Sequence, residues 1–162
     1  GAILAKTIQA TDVLEDCETK EDYFVACSIL AKTGHAALEC LPKIEQKLGS
    51  LALKDDDLAI AGILALVSID HGATKIMPTI QSIIANKELS PLRRSSAICA
   101  LRRIEANVEV GKYLQELSKP GIIEPFFTDV ARRSYPVWQR FQRPPERIFS
   151  VIVAGAEEEE KR

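Results

Sequence analysis

Three stretches of this chain repeat one another at a step of 34–35 residues, and few folds admit such a step. They are Ala26-Cys-Ser-Ile-Leu-Ala-Lys32, Ala61-Gly-Ile-Leu-Ala-Leu-Val67 and Ser96-Ala-Ile-Cys-Ala-Leu-Arg102, with Ile29, Ile63 and Ile98 in register. Downstream of the first two, His35 precedes Pro42 and His71 precedes Pro78, by seven residues in both. The third unit has Tyr113 where that proline would fall. A period of this length marks stacked units, none of which buries its apolar face alone.

Each unit reads as helix, short turn, helix. The first helices are expected at about 20–32, 56–69 and 91–105 and the second at about 36–48, 73–86 and 107–118, with an opening helix near 2–16. Apolar residues fall at helical spacing in Phe24, Cys27 and Leu30, in Leu41, Ile44 and Leu48, and in Ile76, Ile80 and Ile83. Asp55 and Ser90 suit N-caps, and Pro91 suits a first helical position. The run Leu58–Ile69 is apolar nearly all round, which predicts a middle helix buried on every side. It is also the longest apolar run, short of the roughly 20 residues a bilayer requires, so no membrane insertion is expected.

The segment Pro91-Leu-Arg-Arg-Ser-Ser-Ala-Ile-Cys-Ala-Leu-Arg-Arg-Ile104 resembles the first helix of HEAT-like repeats, of the sort also found in phycobilisome lyases. Leu30-Ala-Lys-Thr-Gly-His-Ala-Ala-Leu-Glu-Cys-Leu-Pro42 is similar to their turn and second-helix entry. The resemblance covers roughly residues 20–118. It departs from the pattern at Ser68-Ile69-Asp70, where a Gly is usual, and in the third unit's missing proline. It implies an all-α fold, a right-handed α-solenoid of HEAT-like helix pairs; with the composition that follows, the chain reads as such pairs over residues 1–119, an irregular C-terminal cap at 120–156 and an acidic tail or linker at 157–162. Scaffolds, adaptors, lyases and nucleic-acid enzymes all use such repeats, so function has to be read from the surface.

After Lys119 the composition changes. Residues 120–149 hold five of the eight prolines and six of the nine aromatics, and 131–150 carry five Arg against Glu146 alone. Tyr135-Pro-Val-Trp-Gln-Arg-Phe-Gln-Arg-Pro-Pro145 is not expected to form one continuous helix. A short helix near 122–133, an irregular stretch and an apolar segment at 147–154 are expected instead. Two roles suit this segment: a cap whose aromatics close the end of the core, and a partner site, because Trp, Tyr and Arg carry much of the energy at interfaces. The binding residues would be Arg132, Arg133, Tyr135, Trp138, Arg140, Phe141 and Arg143.

Charge is polarised along the chain. Residues 1–90 carry 8 Lys and no Arg against 13 Asp and Glu, net −5, whereas 91–156 carry 11 Lys and Arg against 6 acids, net +5. Such asymmetry bears on association rather than on fold. The arginines would allow phosphate-backbone contact, but the acidic half weighs against a long nucleic-acid track. Arg93 and Arg94 are also typical of the repeat itself, where they tie neighbouring units.

Little here suggests chemistry. Cys17, Cys27, Cys40 and Cys99 lack CxxC spacing and read as small apolar residues, a reduced set that favours the cytoplasm. His35 and His71 fall in turns one repeat apart, about 10 Å, too far to share a zinc with bonds of about 2 Å. Asp55-Asp56-Asp57 reads as a cap with favourable helix-dipole charges. GxSxG, P-loop and GxGxxG motifs are absent. No metal, cofactor or catalysis is expected. The sequence points to a scaffold or adaptor that binds another protein, the alternative being a nucleic-acid-binding module that uses the C-terminal arginines and aromatics.

Overall fold

The structure, a computed structural model, describes residues 19–50 and 55–142. The helix expected near 2–16, Cys17, Arg143, the segment 147–154 and the tail 157–162 lie outside the described residues. Seven α-helices are described: α1 Lys20–Thr33, α2 Leu41–Ser50, α3 Asp56–Ile69, α4 Met77–Ala85, α5 Pro91–Ala100, α6 Val108–Leu117 and α7 Pro125–Phe141. Short 3-10 segments occupy Gly34–Cys40 and Leu101–Arg103, and no strand occurs among the described residues. The chain is all-α.

Local chemistry starts these helices where it should. Asp55 accepts from the amides of Asp57 and Leu58 at 3.0 and 3.2 Å, and the Ser90 hydroxyl accepts from that of Arg93 at 3.2 Å. Thr19 and Asn107 cap α1 and α6 in the same way. Gly34 ends α1 at φ 65°, a conformation with little cost only for glycine.

The odd-numbered helices form one layer: α1 packs on α3, α3 on α5 and α5 on α7. The even-numbered helices lie behind it, α2 against α3, α4 against α5 and α6 against α7. Buried residues recur in register, with Ala26, Gly62, Ala97 and Ala131 at one level and Cys27, Ile63 and Ile98 at the next. Cys27, rather than Ile29, is therefore the partner of Ile63. The histidine spacing already carries this step, because His35 and His71 are 36 apart. The first of these levels requires small side chains. A Cβ on Gly62 would fall 2.6 Å from Leu48 Cδ2 and 2.8 Å from the Tyr23 hydroxyl.

Polar groups tie each unit to the next. Asp56 accepts from Ser90 Oγ and Arg93 Nε, both at 2.8 Å. Arg94 donates through Nε to the Ile84 carbonyl at 2.8 Å and grips Glu124 with both terminal nitrogens at 3.0 Å. Its guanidinium also lies 4.2 Å from the centre of the Phe127 ring. Both arginines are buried and both bridge units. At the opposite helix ends, Glu105 N donates to His71 O at 2.7 Å, Asn107 Nδ2 to Gly72 O at 2.8 Å, and Trp138 Nε1 to Ile104 O at 3.1 Å.

Three expectations need correction. Residues 125–141 are not a short helix followed by an irregular cap but one 17-residue helix, a fourth member of the first layer. Pro136 fits because its ring sits on the exposed side of the helix, away from the buried face. The middle helix α3 is not buried all round: Leu64 is 37% exposed and Ile60 and Ala61 are only part-buried. Finally, the run Leu58–Ile69 is not the segment to weigh against a bilayer. The helical run Glu21–Gln46 is long and apolar enough, by length and composition, to cross one. Gly34 and a 3-10 segment interrupt it, and Tyr23, Ala26, Cys27 and Leu30 point into the core.

Candidate functional site

The outward side of the first layer is the most distinctive surface among the described residues. Helical spacing places Phe24, Val25 and Ser28 of α1, Ile60, Ala61 and Leu64 of α3, Ser95, Ser96 and Cys99 of α5, and Phe126, Val130, Arg133 and Val137 of α7 on that side. Several of its large apolar residues are exposed: Phe24, Val25, Leu64, Leu92, Phe126 and Phe141, the last at 61%. The second-layer helices present a more polar exterior, with Gln46, Gln81, Lys112, Gln115 and Glu116 exposed.

A groove of about 400 Å³ runs along α5. It exists because α5 presents Ser95, Ser96 and Cys99 between the bulkier Leu64 of α3 and Val137 and Phe141 of α7. Arg102 and Arg103 close one end, and no carboxylate lines it. Arg102 is oriented by Ser134, whose hydroxyl accepts from its Nε at 3.0 Å and donates to Val130 O at 2.7 Å. Among the described residues neither arginine has an ion-pair partner. The arrangement can desolvate apolar side chains and hold a carboxylate at its basic end. Its lining has a thiol in Cys99 but no histidine or acid to serve as a base.

The residues singled out from the sequence do not converge. Trp138 is only 9% exposed: its indole lies against Gly111, where a Cβ would come within 2.4 Å of it, and its N–H is spent on Ile104 O. It belongs to the core, and the cap reading suits it better than the partner reading. Tyr135 stacks on it, ring centroids 5.9 Å apart, and accepts from Gln139 Nε2. Arg132 donates to Ser118 O at 3.0 Å, and Arg133 pairs with Asp129 at 2.9 Å. Arg132 and Tyr135 line a shallow depression with Lys112, Glu116 and Lys119, away from the groove. Phe141, which lines the groove, Arg140, exposed one residue before it, and Arg133, level with Leu64 in the repeat and held by Asp129, lie at the outward face. Arg143 is outside the described residues.

Sequence reasoning missed Leu64, Cys99, Arg102 and Arg103 as a group, although one signal was available. A helix apolar on all sides, with neighbours on three, leaves one side showing. A second cavity, about 430 Å³ between α2, α3 and α4, has its polar wall engaged already, Glu45 by the Thr79 hydroxyl and Arg93 by Asp56. Among the described residues no three of His, Cys, Asp and Glu cluster as metal ligands would.

Electrostatics at the unit boundaries is dominated by one pair. The paired hydrogen bonds from Arg94 hold the Glu124 carboxyl at about 2, far below its ordinary 4.5, with its own backbone amide assisting. Burial raises the Tyr113 phenol. Compared with protein-family models, with curated proteins and with solved structures, the chain gives no match in any of the three.

Proposed function

We propose that this chain is a protein-interaction module, a right-handed α-solenoid of HEAT-like helix pairs with no catalysis of its own, that binds another protein through the outward face of its first-layer helices. One observation carries the reading: Leu64 stands exposed on the middle helix beside a groove that ends in Arg102 and Arg103. A continuous apolar surface rimmed by charge is what protein partners bury. The HEAT-like resemblance of residues 20–118 and the ties at repeat spacing support the solenoid. The run Glu21–Gln46 is read as core, because its buried residues pack on α3.

Nucleic-acid binding is the second reading, and the arginines support it less. Among the described residues Arg93, Arg94, Arg132 and Arg133 are engaged with protein groups and Arg102 gives its Nε to Ser134, which leaves Arg103, Arg140 and the terminal nitrogens of Arg102 for phosphates. The deciding experiment is capture from lysate with and without nuclease, on the parent and on Leu64→Asp. Protein captured by the parent with nuclease present, and lost in the variant, supports the first reading. Capture that disappears with nuclease supports the second.

A further inference from the structure

We propose that the partner seated on this outward face is a second copy of the chain, paired face to face about a two-fold axis; the inference rests on reading that face as a protein-binding surface.

The argument is the placement of charge around the apolar area. Acids occupy the corner where α1 and α3 begin: Glu21 and Asp57 are exposed there, one turn before Phe24, Val25 and Ile60. Bases occupy the diagonally opposite corner, where the 3-10 turn after α5 and the last turn of α7 place Arg103 and Arg140, both exposed. A two-fold contact is isologous, so the patch must complement itself. An axis lying in the face, crossing it between the two corners near Leu64, sets the acidic corner of each copy on the basic corner of the other. It also sets Leu64 near its own counterpart. The exposed Phe24 and Val25 of one copy then approach the groove along α5 of the other, the place where small residues leave room.

The size is adequate. Four helices about 10 Å apart and about 20 Å long present on the order of 600–800 Å², close to the ~800 Å² per partner of a standard interface. With charge at its corners, such a dimer should weaken as salt screens them.

Sedimentation equilibrium of the full chain, through the micromolar range and at low and high salt, tests this. The parent is expected to form a dimer that salt weakens. Leu64→Asp should raise the dissociation constant at least about tenfold, as should Glu21→Arg with Asp57→Arg, or Arg103→Glu with Arg140→Glu. Combining all four charge reversals should restore pairing, an outcome no loss of folding can produce. Far-ultraviolet circular dichroism on each sample checks the fold. A parent that stays monomeric overturns the proposal, as does a dimer indifferent to Leu64→Asp, or charge reversals whose combination fails to recover it. A monomeric parent that still captures another protein in a Leu64-dependent way would end this inference and leave the proposed function intact.

Discussion

Arg94 shows how much one residue contributes here. It satisfies the Ile84 carbonyl, clamps Glu124 and covers the Phe127 ring, so it joins three helical segments at once. Arg94→Ala should destabilise the fold by on the order of 2 kcal/mol, because a buried carbonyl loses its donor and a ring loses its cover. Arg94→Lys should recover little of that, since an ammonium cannot form the fork. The same pair sets an acid limit. The Glu124 carboxyl is depressed when folded, so its stabilisation is complete above its ordinary 4.5 and fades as pH falls toward about 2. Thermal melts between those values should show Tm falling with acidification, with a shallower slope in Glu124→Gln. Neighbouring residues on α3 divide as sharply: Ile63 is buried and Leu64 is not. Ile63→Asp should cost several kcal/mol and unfold the chain, whereas Leu64→Asp should melt within a few degrees of the parent. Early melting of Leu64→Asp would mean that its exposed flank is packed.

At the scale of elements, α6 and α7 lock through a glycine and an indole. Gly111→Ala ordinarily strengthens a helix by about 1 kcal/mol. Here the added methyl meets Trp138, so the change should instead destabilise by about 1–3 kcal/mol. A raised denaturant midpoint in Gly111→Ala would show that the indole does not lie there. Helices α1, α3 and α5 were legible because their spacing is periodic and their caps are local: Asp55 and Ser90 act within three residues of themselves. Helix α7 was misread for an equally physical reason. Proline, aromatics and arginine are shared by irregular binding segments and by a helix that must bury Phe127 and Trp138 while exposing Pro136. Only the packing of α5 and α6 decides between them. The groove was illegible for a related reason, since it is made by three helices and by what α5 lacks, bulk at Ser95, Ser96 and Cys99. Gln142, which joins Ile104 O and Ala106 N across 36–38 residues, had no sequence signal at all.

For the molecule as a whole, the ties among the described units should make them melt as one cooperative body. Asp56→Ala leaves the buried Arg93 without its carboxylate and should cost several kcal/mol. Because stacked units share interface terms, calorimetry should show the whole transition moved down rather than a second one appearing. The two layers are nonetheless held differently. Helices α3, α5 and α7 are tied at both ends, by Asp56, Arg93 and Arg94 at one and by His71, Ile104 and Trp138 at the other. Second-layer helices rest mainly on the first layer rather than on each other. Strain across the layers is therefore expected to part α2, α4 and α6 from one another before it parts α3, α5 and α7.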